Sequence, residues 1–141
     1  MGVKTYDPNE VTVIVGGFTL SGFADGTKVT CERMEPGWSL QIGTDGEGTR
    51  SKSNNKSGAV TIVLMQTSDS NDILSAIAAA DEYGNAGLRN VLVKDAGGRT
   101  VFEAETAWVE RYPTSEFGRE ATGREWVLHT DTLVVFVGGN G

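Results

Sequence analysis

One cysteine and one histidine in 141 residues leave this chain little reactive chemistry. Cys31 stands alone, so no intrachain disulfide and no thiolate cluster for a structural metal is available, and the residue is expected to pack as a small apolar group. A nucleophile-histidine-acid arrangement would have only His129 to draw on. Its strand setting sends Leu128 and Thr130 to the opposite face, and no nucleophile signature accompanies it, so catalysis is not expected. No apolar run reaches the length needed to cross a bilayer, and Met1-Gly2-Val3-Lys4 is not a charged segment followed by an apolar stretch. The chain is therefore expected to be made and kept in the cytosol, without a membrane partner. Positive charge is also scarce: 12 Lys and Arg against 19 Asp and Glu give a formal net charge of −7. Such a balance argues against a surface built to grip phosphate backbones. The acidity is uneven, with seven acidic and six basic residues in 1–60 but twelve and six in 61–141.

What the chain has in plenty is glycine, 19 residues against three prolines. Glycine reaches positive φ without steric cost, so the composition suggests many tight turns between short strands. Val11 to Val15, closed by Gly16-Gly17 and resumed by Phe18-Thr19-Leu20, predicts two short strands around a turn. Asp25-Gly26 signals a hairpin leading into Lys28–Arg33, where alternating charged and apolar side chains give one wet face. Trp38 to Ile42 makes a further strand. From Gly43 to Gly58 no apolar residue occurs. This stretch reads as a long polar loop that cannot serve the core and becomes ordered when something binds it.

Ala59 to Met65 predicts a strand buried on both faces or nearly so. A helix follows, with N-cap candidates from Ser68 to Asn71, Asp72 at its positive end, Ile73, Leu74, Ile77 and Ala80 on one side, and Gly84 as the stop after Tyr83. Leu88 to Asp95 and Thr100 to Tyr112 form a hairpin around Ala96-Gly97-Gly98. Strict alternation places Phe102, Ala104, Trp108 and Tyr112 on one face and Glu103, Glu105 and Arg111 on the other. The last strand, Arg124 through Val137, is long enough to require a bulge. Strand-rich halves around a single helix, with no βα repeat, indicate a mainly β or α+β fold in one domain over 1–141.

Three constellations bear on possible chemistry. Asp45-Gly46-Glu47-Gly48-Thr49 alternates oxygen ligands, but Arg50 and Lys52 intrude where a calcium loop needs acidic or amide groups. The Gly-Gly pairs at 16-17, 97-98 and 138-139 neither begin a helix nor precede Gly-Lys-Ser/Thr, so turns explain them. Glu103 and Glu105 point the same way from one strand and have no facing carboxylate for glycoside chemistry. No cofactor and no metal is expected.

The order of elements resembles the tail tube subunit of contractile-tailed bacteriophages. The residues that carry the resemblance are the Tyr6-Asp7-Pro8 start, the glycine-bounded Val11 to Phe18 stretch, the polar 43–58 loop, the strand-helix unit from Val60 through Tyr83, Lys94-Asp95-Ala96-Gly97-Gly98, Tyr112-Pro113 and Glu125-Trp126. Tubes of tailocins and of type VI secretion look similar in fold. The resemblance implies an antiparallel β-sandwich or barrel-like protomer with one flanking short helix, self-assembled as hexameric rings stacked into a hollow virion tube, put together in the host cytoplasm. Sheath, baseplate, tail terminator and tape measure proteins would be its partners, and DNA would pass through without tight binding.

Within that frame, Glu32, Glu103 and Glu105 are candidates for the channel wall, where carboxylates would repel phosphates. The polar loop, through Asp45, Glu47, Arg50, Lys52 and Lys56, is a candidate ring-to-ring clamp. Two readings compete with the phage tube: the inner tube of a tailocin or type VI secretion system, and a monomeric β-barrel, or an enzyme built on one, binding a small ligand in a pocket lined by Trp38, Trp108 and Trp126.

Overall fold

A computed structural model describes residues 2–140. After a short 3-10 turn at Pro8–Glu10, the chain forms strands β1 (Val11–Val15), β2 (Phe18–Thr19), β3 (Val29–Arg33), β4 (Trp38–Ile42), β5 (Gly48–Lys52) and β6 (Gly58–Met65). Helix α1 (Ser70–Gly84) follows, then β7 (Arg89–Asp95), β8 (Val101–Arg111), β9 (Gly123–Thr130) and β10 (Val134–Phe136). Every strand pairing is antiparallel. One sheet runs β2-β1-β7-β8-β9-β6-β3, with β10 beside β8, and β4 and β5 form a separate ribbon.

Local sequence explains most of these elements. Gly16 and Gly17 both take positive φ, 58° and 86°, and so close the β1–β2 hairpin with the backbone twist that two-residue turns need. In α1, Ser68 rather than the N-cap side chain serves the first turn: its Oγ accepts from the Ser70 N–H at 3.2 Å, and Asp69 at the cap makes no side-chain bond. At the other end Gly84 is still helical, and Asn85 turns left-handed, φ 53°, ending the helix one residue later than expected. Leu74, Ile77 and Ala78 are buried by α1, with Ile73 packed beside them.

A single apolar cluster joins both flanks of the sheet. It includes Val13 and Val15 of β1, Val60, Ile62 and Leu64 of β6, Val91 and Val93 of β7, Trp126 and Leu128 of β9, and the helix residues. The sheet must therefore curl until β1 and β3 approach each other. Among the described residues no closed barrel forms. The gap is crossed by a side chain: Lys28 Nζ donates to the carbonyls of Pro8 at 3.0 Å and Val11 at 2.7 Å. Burial lowers the Lys28 pKa, while the Asp7 carboxylate works the other way. Cys31 faces the same interior, and burial pushes its thiol up to about 12, as expected of a packing residue.

The sequence expectations need correction at four places. The Asp25-Gly26 turn does not join two neighbouring strands. Phe23 bridges Leu64 and Val29 pairs Ile62, so the turn is an excursion between two stretches lying on the same edge of β6. On β8 the alternation shifts phase between Ala104 and Ala107, because a bulge opposite β7 places three steps against two. Ala107 and Val109 therefore face the core in place of Trp108, which lies on the outer face beside His129.

The third correction is the largest. Residues 43–58 are not a loop throughout: Gly48–Lys52 is a strand paired along its whole length with Trp38–Ile42. The stretch lacks apolar residues of its own, yet β4 supplies them, and the ribbon is ordered within the single chain. The long final strand is not one bulged strand but two: β9 and β10 both lie along β8, with Thr130 opposite Ala107 and Val134 opposite Glu103, so no residue is inserted, and the ladder is interrupted at Asp131–Leu133 because Leu133 turns fully into the core.

Candidate functional site

The β4–β5 ribbon is an arm. It grows from the β3–β6 ladder, which is prolonged by the Met34 N–H to the Ser57 carbonyl at 3.0 Å and by the Ser53 N–H to the Gly37 carbonyl at 2.8 Å. A five-residue turn closes its tip, with the Gly43 N–H bonded to the Glu47 carbonyl at 2.8 Å and Gly46 at φ 89°. Asp45 Oδ1 is spent on this turn, accepting the Glu47 N–H at 3.1 Å.

Register divides the arm into two unlike faces. Trp38 lies opposite Lys52, Leu40 opposite Arg50, and Ile42 opposite Gly48, so apolar and basic groups share one face; Ser39, Gln41, Thr49 and Ser51 share the other. The Arg50 guanidinium sits over the Trp38 ring, 3.8 Å from its centroid, which braces the ribbon. Apart from Arg50 over Trp38, nothing among the described residues covers the apolar stripe: Trp38, Leu40 and Ile42 are 49%, 67% and 61% exposed. A free two-stranded ribbon is only marginally stable, and three large apolar side chains held in water make the arm a candidate contact surface. Of the five candidate clamp residues, Arg50 and Lys52 are thus brought together on the apolar face, while Asp45 and Glu47 occupy the tip turn. Lys56 stands apart at the base, where its carbonyl accepts the Leu133 N–H at 2.8 Å.

The acidic candidates share the sheet's outer face without forming one cluster. Glu32, Ala59, His129 and Trp108 lie in one register row across β3, β6, β9 and β8. Glu103 lies in another, between Leu92 and Val134. Glu103 and Glu105 line an open trough of about 580 Å³ together with Asp131. Glu32 is three strands away. His129 is paired with Glu110, Nε2 to Oε2 at 2.8 Å, and edges onto Trp108.

The three tryptophans do not line one pocket. Trp126 is in the core, Trp108 on the outer face and Trp38 on the arm, so the ligand-barrel reading loses its support. Sequence reasoning saw Trp38–Ile42 as a strand but missed that its partner follows directly. The available signal was Asp45-Gly46 between two five-residue segments.

Sequence comparison places the fold in context. Residues 8–138 match the family described as the bacteriophage PhiTE tail tube protein. The chain belongs to this phage tail tube family. Structural protein ORF10 of Pseudomonas phage KPP10 is 30% identical over 145 residues, spanning 97% of this chain and 84% of that protein. Among solved structures, the tube terminating cap of the anti-feeding prophage superposes with a TM-score of 0.64 at 10% identity, over 96% of this chain and 94% of that one. A chain of the PVC sheath-tube complex, an extracellular contractile injection system in its extended state, gives 0.58 at 12% identity, over 94% and 91%. At such identities the two structures share the fold alone. The tail tube protein is a structural component of the virion tail and not an enzyme.

Proposed function

We propose that this tail tube protein assembles as hexameric rings stacked into a hollow conduit through which DNA passes from capsid to host, with a contractile sheath around it and a terminator at its end. The observation that carries this reading is the open sheet. Among the described residues, β3 on one flank and the two-residue β2 on the other have no further strand beside them. Exposed strand edges invite pairing, and a ring of identical copies satisfies each edge with the next protomer's. The solved structures of similar fold come from a tube cap and a sheath-tube complex, which supports the same architecture and the same classes of partner. Electron microscopy of the purified chain over a range of concentrations tests it: rings or filaments are expected, and a monomer at every concentration refutes self-assembly.

In this assembly the outer face carrying Glu32, Glu103 and Glu105 forms the channel wall. Carboxylates there hold phosphates off, whereas Lys and Arg contacts would grip the duplex. Substituting all three with glutamine is expected to slow DNA ejection severalfold with tube length unchanged. Ejection kinetics equal to wild type in that variant would remove these residues from the wall. The arm, through its exposed apolar and basic face, is the clamp between successive rings.

A further inference from the structure

The arm leaves the sheet at the Gly58 end of β6; the connection between β8 and β9 lies at the Met65 end, where Met65 pairs with Gly123. Eight residues of strand separate the two ends, about 25 Å of extended backbone. In the tube proposed above, copies stacked head to tail along the strand direction bring opposite ends together, which puts the 112–122 connection on the side that meets a protruding arm of the next ring.

That connection has no helix or strand of its own and yet is firmly held. Arg124, only 7% exposed, has no carboxylate partner among the described residues. It spends its guanidinium on the connection: Nη1 donates to Thr122 Oγ1 at 2.7 Å and to the carbonyls of Thr122 and Gly123 at 3.2 Å each, and Nη2 to the Glu116 carbonyl at 3.2 Å. The Thr122 N–H adds a bond to Gln66 Oε1 at 3.2 Å. Nη1 shares its two hydrogens among the three acceptors at 122–123 while Nη2 reaches back to Glu116, so one charged donor ties the end of the segment to its middle before any partner arrives. What the fixed segment presents is apolar. Phe117 lies above the guanidinium, which is 5.4 Å from its ring centroid, and remains 83% exposed; Tyr112 is 49% and Met65 46% exposed. Beside them a cleft of about 270 Å³ opens between Tyr112, Phe117, Arg124 and Trp126. Exposed carboxylates lie beside the patch, Glu82 bonded by the Tyr112 hydroxyl at 3.4 Å and Glu116 and Glu125 next to Tyr112, with Glu120 in the same connection, against Arg111, Arg119 and the buried Arg124 itself.

We propose that this patch, built by Arg124 around Phe117 and Tyr112, is the seat for the arm of a second copy. Leu40 and Ile42 pack on Phe117 and Tyr112, and Arg50 and Lys52 face Glu116 and Glu120. The inference rests on the tube reading above and adds to it the receiving surface. Apolar area meets apolar area and basic charge meets acidic, the complementarity expected of a specific contact with a polar rim.

Cross-linking separates the two levels. Leu40→Cys and Phe117→Cys are introduced together in a Cys31→Ser background, tubes are assembled, and a short bifunctional thiol reagent is applied. The two sites lie at opposite ends of one protomer, so a cross-link between them must be intermolecular. A ladder of covalent multimers is expected, absent when either cysteine is omitted. Tubes that form without such a ladder overturn the proposed seat and leave the tube reading standing; failure of the wild-type chain to form tubes overturns both. A charge exchange provides the second arm of the test. Arg50→Glu with Lys52→Glu should abolish tubes, and adding Glu116→Lys with Glu120→Lys should restore them. Loss without restoration, from variants that melt as wild type does, also counts against the seat.

Discussion

Deletion of residues 46–55 is expected to yield a folded monomer that cannot build tubes. From Glu32 to Lys56 every residue except Ser53 is exposed, so the deleted segment takes nothing from the core. Its strand β5 pairs only with β4. The base of the arm survives, because the Met34 N–H to Ser57 carbonyl bond lies outside the deletion. Shortening an exposed connection changes chain entropy by well under about 1 kcal/mol, so the thermal midpoint should move by no more than about 2 °C for a domain of this size. Assembly, by contrast, loses the clamp altogether. Circular dichroism melts and negative-stain images of the same sample read both quantities. Tubes of normal length from the deletion would show that the arm is a tolerated insertion. Since the deletion strands Trp38, Leu40 and Ile42 without a partner, the pair Leu40→Ser and Ile42→Ser serves as its companion: it keeps the ribbon, removes the apolar contact and should block assembly equally.

How far the sequence could be read depended on where each residue's partner lay. Val11–Val15 with Gly16-Gly17, the Ala96-Gly97-Gly98 turn and the helix after Ser68 are written locally, in β-branching, glycine pairs and periodic apolar positions, and the structure has them all, the helix running one residue further than its glycine stop suggested. β5 was invisible for the opposite reason. Gly-Thr-Arg-Ser-Lys has no burial pattern because the strand is never buried; what makes it a strand is its hydrogen-bonded neighbour and the stacking of Arg50 on Trp38. Trp108 was misplaced by a bulge, a local insertion in register that alternation cannot detect without knowing what lies opposite.

The candidate site shows the same limit. The basic and acidic side chains of 43–58 could be named from sequence, but the apolar stripe they border belongs to the preceding strand, and the two form one face only after pairing. Arg124 offered no cue at all. In sequence it is one charged residue beginning a strand; in the fold it is buried, and its bonds all run backwards to a segment that composition alone describes as a polar connection.

Trp126 and Trp38 form a matched pair that separates folding from assembly. Trp126 is 2% exposed, and its indole N–H donates to Asn71 Oδ1 at 2.9 Å, tying β9 to the first turn of α1. Asn71 in turn donates to the carbonyls of Met65 and Ser68, at 2.9 and 3.0 Å, so one indole anchors the whole strand-to-helix turn. Trp126→Ala opens a cavity and breaks this network, at an expected cost of about 3–5 kcal/mol, which lowers the midpoint by on the order of 10 °C. Trp126→Phe retains most of the ring volume and loses the donor, for about 1–2 kcal/mol. Trp38→Ala removes the same side chain from a position where half of it is already in water. Its effect on the monomer's stability should be no more than about 0.5 kcal/mol, the scale of ordinary surface substitutions, while tube formation should fail. If Trp126→Ala melts like wild type, the core described for β9 and α1 is wrong; if Trp38→Ala assembles normally, that end of the apolar stripe makes no contact in the tube.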